Sequence, residues 1–344
     1  MTHTPIAAVP VIDLAPYFEG SETGRRAVAA HLGDACRRLG AFMIVGHGVP
    51  QSAIAELLAL SADFFDQPLE EKMRWSPPSR SIFRGYSRLA SEAVAYTVGA
   101  ESPPDLREYF MINRLDRPGD EAYYRDPAAV DLFHPNIWSD RPAGFREAFS
   151  AHYRRMEEFA RSLMRLLAID LDVAETFFDD KIDRHFSNCS TVNYPAQAEA
   201  PIPGQLRIGA HTDYGSITIL YQTAAAGGLQ VQRPDGAWLD VAPTDGAFVV
   251  NIGDLMARWT NDRFISPMHR VVNPPRPVAA ASRRQSIVFF HQPNYDAVVE
   301  CLPGCRDATT PVRYPPVTSG EHLRSKLSAS KARTKRTGRS SSIA

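Results

Sequence analysis

The feature that most constrains this chain is a change of rhythm near its middle. From about residue 185 to 300 the sequence runs as short β-rich segments: CSTVNY, SITILYQ, LQVQ, WLDV, AFVVNI, HRVV and QSIVFF. Turn residues separate them at short intervals, which predicts an all-β sandwich or jelly roll. In QVQRPDGAWLDV, Pro234, Asp235 and Gly236 supply the turn of a hairpin. Before residue 185 the pattern is mainly helical. A strand is expected over 9–14, an amphipathic helix over 22–39, and a buried strand closed by Gly-His-Gly within GAFMIVGHGVP, residues 40–50. Helices follow over 51–66 and from Pro68 to about Lys72. Residues 74–104 are rich in Ser, Pro, Arg and Gly and read as irregular, with little core of their own. Residues 105–113 are extended. The longest helix is expected over 140–172, with Phe149, Tyr153, Met156, Phe159, Leu163, Leu166 and Leu167 at helical spacing. A last helix is expected over 318–329.

These patterns divide the chain into a mixed, helix-rich part over 1–173, a β-rich core over 174–329, and a basic, Ser-rich tail over 330–344. The tail reads as disordered, a solvated end rather than a polyanion site. The length of 344 residues fits one elaborated domain or two closely fused halves. A hydrophobic fraction of 44% suffices for a substantial core. With 38 basic and 39 acidic residues, nothing global calls for nucleic acid or an anionic membrane. No apolar run is long enough to span a bilayer. The N-terminal stretch lacks the basic and apolar regions of a secretory signal. Cys36, Cys189, Cys301 and Cys305 are widely spread and read as reduced thiols of a cytoplasmic protein, a Cys301–Cys305 disulfide being the alternative.

Chemistry concentrates in the β-rich part. In IGAHTDYGSITIL, His211 and Asp213 are two apart. In an extended segment such residues share a face, so both can reach one metal. A third ligand must come from another strand. His269, in SPMHRVV, stands where an apolar strand resumes. Alone it reads as a structural histidine. Together the three make a 2-His-1-carboxylate set, which leaves one face of the metal open and marks non-haem Fe(II) oxygenases. In RRQSIVFF, Arg284 and Ser286 again share a face. A guanidinium pointing into a small barrel demands an anion. The distal carboxylate of 2-oxoglutarate satisfies it, and an internal Asp or Glu is the alternative. Arg283 points the other way, to solvent. Tyr194, in VNYP, is either a further donor to that carboxylate or a core tyrosine.

The residues resemble the isopenicillin N synthase-like Fe(II)/2-oxoglutarate dioxygenases, over roughly residues 8–327. VPVIDL, GAFMIVGHGVP, FFDQPLEEK and DLREYF are similar to that family's N-terminal region. NYP, HTDYGSITIL, GGLQVQ, DGAWLDV, FVVNIGDL, SPMHRVV and RRQSIVFFHQPN follow its C-terminal region in order. The resemblance implies a mainly β, α+β fold: a double-stranded β-helix, a cupin-like jelly roll, flanked by helices. It implies Fe(II) on His211, Asp213 and His269, and 2-oxoglutarate on Arg284, Ser286 and Tyr194. It implies O2 as second cosubstrate and hydroxylation, desaturation or epoxidation of a small molecule. Natural-product or antibiotic biosynthesis in a bacterium is the expected setting. Gly227, Gly228, Asn251, Gly253 and Asp254 read as turn residues. Many plant members carry Asn two positions before the motif tyrosine; Val192 stands there in this chain, which leaves Asn193 as a residue behind the site. Arg84, Tyr86, Phe110, His291 and Asn294 lie on segments that, by resemblance, edge the barrel mouth, and are the candidate substrate contacts. If Arg84 and Arg107 both face the pocket, the substrate is anionic or hydroxyl-rich. A monomer is expected, a weak homo-oligomer being the alternative. The nearest rival is an Fe(II) oxidase of the isopenicillin N synthase or aminocyclopropane carboxylate oxidase type, which uses no 2-oxoglutarate. A non-catalytic jelly-roll binding protein and a zinc hydrolase are more distant.

Overall fold

The computed structural model describes residues 6–327, apart from 80, 101 and 120. The first strands in chain order are β1 (Val11–Asp13), β2 (Ala41–Val45), β3 (Gly85–Ser87), β4 (Glu108–Asn113) and β5 (Asn188–Tyr194). Then come β6 (Ile208–His211), β7 (Ile217–Gln222), β8 (Leu229–Gln232), β9 (Trp238–Asp240) and β10 (Phe248–Ile252). The last are β11 (His269–Val271), β12 (Arg284–His291), β13 (Val298–Val299) and β14 (Val317–Thr318). An eight-stranded major sheet runs β1-β2-β10-β7-β12-β5-β4-β3, and a four-stranded minor sheet runs β6-β11-β8-β9. β13 and β14 pair separately.

Alternation along the major-sheet strands separates two cores. Ile217 and Ile219 of β7, Phe248, Val250 and Ile252 of β10, and Ile287 and Phe289 of β12 belong to the core on the helix side. Leu220, Val249, Val288 and Phe290, from the same strands, join Val192, Tyr194, Ile208, Leu229, Val231 and Val271 in a second core between the two sheets. That second core is the inside of a jelly roll, with the minor sheet as its lid.

The helix side is covered by Glu22–Arg38, Gln51–Phe65 and Phe145–Asp170. The first is capped by Ser21, whose hydroxyl accepts the Gly24 N–H at 3.0 Å, and carries Arg37 and Arg38 in its last turn, where cations suit the dipole. The longest presents Phe145, Phe149, Tyr153, Met156, Phe159, Leu163 and Leu167 to the sheet, as its periodicity predicts. The two helices meet closely at Gly33, where a Cβ would stand 2.0 Å from the Asp170 carboxylate. That carboxylate is in turn held by Arg37 at 2.6 Å.

The N-terminal part is therefore built into the major sheet. β1 to β4 are all strands of the major sheet, and helices from 1–173 share one core with strands from 174–329. Residues 74–104, expected to be irregular, hold β3, paired to β4, and a short 3-10 helix over Val94–Val98. Residues 319–327 are helical, and 328–329 lie outside the described residues, as does the basic tail. No helix among the described residues is long and apolar enough to cross a membrane.

Candidate active site

The minor sheet brings the three candidate ligands together. β11 runs antiparallel to β6 with His269 directly opposite His211. Direct cross-strand partners hold their side chains side by side, and the two imidazole rings lie 4.2 Å apart. Asp213 follows in the turn after β6, with its oxygens 3.8 Å from His211 Nε2 and 3.7 Å from His269 Nε2. One ligand atom from each residue falls within 4.8 Å of the others, and all three side chains are nearly buried.

Surrounding groups fix each ligand's orientation. The His211 Nδ1–H donates to Gly209 O at 2.9 Å, and the His269 Nδ1–H to Pro267 O at 3.2 Å. Both hydrogen bonds turn Nε2, with its lone pair, toward Asp213. Burial and the neighbouring His269 push His211 down to about 3, so its imidazole is neutral. Burial works against ionising Asp213, but His269, His211 and the Asn251 amide outweigh it and hold this carboxyl below its ordinary value. Asn251 Nδ2 donates to Asp213 Oδ2 at 2.9 Å from the neighbouring β10. The turn is clamped from behind as well: the Asp254 N–H donates to Asp213 O at 2.8 Å, and a Cβ on Gly253 would meet Gly215 O at 2.3 Å. Asn251 and Asp254, read from the sequence as turn residues, thus lie within β10 and at the start of a helix, and both support the ligand turn. The available signal was an amide inside the apolar run FVVNI.

A row of polar side chains crosses the barrel interior from the other sheet. Arg284 stands opposite Tyr194, and Ser286 stands between Val192 and Gln222. The Arg284 guanidinium lies over the Tyr194 ring, 4.8 Å from its centroid. Its Nη2 donates to Gln222 Oε1 at 2.7 Å. Arg284 Nη1 and Ser286 Oγ are buried with no hydrogen-bond partner among the described residues. Arg284 is 2% exposed, and no Asp or Glu among the described residues pairs with it. The internal acid that would have explained this arginine is absent from its surroundings. A buried guanidinium with an orphaned N–H beside an orphaned hydroxyl is a cradle for an anion. Arg207, which the sequence pattern does not single out, has its guanidinium 5.9 Å from the Tyr194 ring centroid. Its Nη atoms donate to Ala226 O and to both oxygens of Ser282, and its Nε is buried without a partner among the described residues.

The five candidate substrate contacts lie elsewhere. Tyr86 and Phe110 are cross-strand partners turned into the helix-side core, packed on Phe64. Tyr86 donates to Glu108 at 2.5 Å. The Arg84 guanidinium donates to the carbonyls of Phe83, Leu132 and His134 and to Asn188 Oδ1, which uses it as a scaffold clamp. His291 shares the Ile287 and Phe289 side of β12, and its Nδ1 is 2.6 Å from Ser216 Oγ. Asn294 caps backbone, accepting the Arg184 N–H and donating to Asp180 O and Asp183. Asn193 is also on the helix side, donating to Glu108 and accepting from Arg283, which is bound to Asp66 as well. For Phe110 the cause is local: β4 is buried on both faces, so its sequence carries no alternation to tell the barrel side from the helix side.

The chain matches known proteins along nearly its whole length. Residues 186–293 match the family model described as the 2OG-Fe(II) oxygenase superfamily, and residues 9–141 match that of the non-haem dioxygenase in morphine synthesis N-terminal. The 2-oxoglutarate-Fe(II) type oxidoreductase hxnY of Emericella nidulans is 35% identical over 92% of this chain and 88% of its own. The chain belongs to the 2OG-Fe(II) oxygenase superfamily. A full-length Neurospora crassa protein, crystallised in complex with alpha-KG and thymine, superposes with a TM-score of 0.82 at 30% identity, covering 95% of this chain and 98% of that one. The Validamycin A dioxygenase of Streptomyces hygroscopicus subsp. limoneus is 31% identical over 92% of this chain and 85% of its own. As a 2OG-Fe(II) oxygenase the protein uses iron and 2-oxoglutarate and acts on a small molecule, on the jelly-roll core just described.

Proposed function

We propose that this oxygenase hydroxylates a small molecule, with Fe(II) on His211, Asp213 and His269 and the C5 carboxylate of 2-oxoglutarate on Arg284, Ser286 and Tyr194. The observation that carries the reading is the pair of orphaned donors, Arg284 Nη1 and Ser286 Oγ, in the same barrel as the converging His-Asp-His set. Bound there, ferrous iron and 2-oxoglutarate supply an oxidant from O2, with the cosubstrate decarboxylated to succinate. The protein's share is positioning. Gly209 O and Pro267 O hold the two imidazoles with Nε2 inward, and Asn251 holds the Asp213 carboxylate. Arg284 and Ser286 fix the far end of the cosubstrate. Val192, Leu220 and Val288 keep that part of the barrel dry, which strengthens each of these polar contacts. A rival that works without 2-oxoglutarate leaves the Arg284 cradle unexplained. We further propose natural-product tailoring as the setting, a reading supported by the Streptomyces relative.

The test is anaerobic titration of the full chain with Fe(II) and 2-oxoglutarate, watching the weak visible charge-transfer band, followed by succinate release under O2. The band and 2-oxoglutarate-dependent succinate are expected. Asp213→Ala and His211→Ala are expected to abolish both. Oxygen uptake in the absence of 2-oxoglutarate overturns the cosubstrate assignment.

A further inference from the structure

Besides Arg284, Arg207 and Arg107 each keep a buried Nε without a partner among the described residues; Arg207 has both Nη atoms on carbonyl oxygens, and Arg107 is the less committed of the two. The β4–β5 ladder pairs Glu108 with Asn193. Carried one residue back, this register sets Arg107 opposite Tyr194, which itself stands opposite Arg284. Arg107 also has the parity of Tyr109 and Met111, both in the core between the sheets. The Arg107 side chain is 15% exposed, and its Nε is buried without a hydrogen-bond partner. Its nearest acids among the described residues are Glu92 at 3.8 Å and Asp105 at 3.9 Å, both beyond hydrogen-bond reach. Asp105 is committed to other work, accepting the Gly209 and Val94 N–H groups at 2.9 and 3.0 Å. Glu92 accepts the Tyr109 hydroxyl at 2.9 Å and is 43% exposed. The acids therefore orient the guanidinium without saturating it. Through Asp105 and Gly209 it is also tied to the strand end that carries His211.

We propose that Arg107 anchors the substrate and that the substrate is a small carboxylate. This rests on the oxygenase reading above, in which 2-oxoglutarate takes Arg284 and leaves Arg107 for the second ligand. Charge balance favours the same class. Among the described residues, Arg107, Arg207, Arg284 and ferrous iron, set against Asp105, Asp213 and dianionic 2-oxoglutarate, leave one positive charge in the low-dielectric barrel. A monoanionic substrate neutralises it, and the planar fork of arginine suits a carboxylate. Glu92, half in solvent at the edge of this cluster, is screened.

The experiment uses the full chain loaded anaerobically with Fe(II) and 2-oxoglutarate. Benzoate and cyclohexanecarboxylate, with their carboxamides as neutral counterparts, are titrated against the charge-transfer band. In the wild type each acid should bind roughly 10-fold or more tightly than its amide, the scale of a charge-assisted pair. Arg107→Gln should erase that preference and keep the band, Arg107→Lys should restore part of it, and Glu92→Gln should tighten the acids. Equal binding of acid and amide, no acid binding at millimolar concentration, or acid preference surviving in Arg107→Gln overturns the proposal. Absence of the band in the wild type overturns the oxygenase reading itself, and the proposal with it.

Discussion

Lys72, Glu108, Tyr86 and Asn193 lie buried on the helix side of the major sheet; Arg284, Gln222 and Ser286 lie buried on its barrel side. The first group is complete. Lys72 donates to Glu108 at 2.9 Å and to Phe65 O at 2.8 Å, and Tyr86 and Asn193 also donate to Glu108, so both of its carboxylate oxygens are hydrogen-bonded. In the second group Arg284 Nη1 and Ser286 Oγ lack a partner among the described residues. Leaving a buried donor unmade costs about 1–3 kcal/mol, more when it is charged. An orphaned atom does not by itself mark a ligand site, since Thr191 Oγ1 and Gln285 Nε2 on the helix side also lack partners among the described residues. What sets the second group apart is a buried guanidinium and a hydroxyl orphaned together on the barrel side, which is a cradle for an anion.

Breaking the incomplete group should give the larger functional effect. Arg284→Ala is expected to raise the KM for 2-oxoglutarate roughly 100-fold, since a charge-assisted pair is lost from a desolvated site. Stability should change little or improve, because an unpaired buried charge is removed with the side chain. The 2-oxoglutarate dependence of succinate release and denaturant unfolding measure the two. An unchanged KM would remove Arg284 from its role.

Breaking the complete group should do the reverse. Lys72→Met leaves the Glu108 carboxylate buried without its cation, at 6% side-chain exposure. The expected loss is about 3 kcal/mol of unfolding free energy. The KM for 2-oxoglutarate should stay within about twofold, since separated sites act nearly independently. A large change in KM with little loss of stability would erase the distinction between the two faces.

The same contrast explains what was legible in the sequence. His211, Asp213, Arg284 and Ser286 could be read because each pair is two apart on a strand, and spacing of two is a statement about facing. His269 could be read because it begins an apolar run. Its pairing opposite His211 is a matter of register, which local sequence does not carry. Asn251 was hidden for a related reason. It acts across the sheet on Asp213, and nothing near it in the chain announces that neighbour. Phe110 was misplaced because every residue of β4 is buried, so no polar alternation marks its barrel side, and Tyr86, on β3, faces the same way as Phe110, its cross-strand partner. Arg107 needed both facts together: the register opposite Tyr194 and the parity shared with Tyr109.

A third buried pair sharpens the comparison, because its completeness depends on one proton. His185 Nε2 lies 3.0 Å from Glu157 Oε1. Burial, partly offset by Arg114, raises Glu157 to about 7, and burial, reinforced by Arg114, lowers His185 to about 3. In the unfolded chain the ordinary values are about 4.3 for Glu and 6.5 for His. Between about pH 4.5 and 6.5 the folded pair therefore carries one proton on Glu157, and the unfolded pair carries one proton on histidine. Equal proton counts mean that the pair gives no slope of stability with pH in that window. Glu157→Gln breaks the equality. Its folded state then holds no titrating proton there, while the unfolded histidine still gains one as pH falls. The variant should lose about 1–2 kcal/mol relative to wild type between pH 7 and 5, with little difference at pH 7.5. Denaturant midpoints across that range measure it. Parallel pH profiles for the two proteins would show that the folded pair holds no proton in that window, with Glu157 ionised beside a neutral His185.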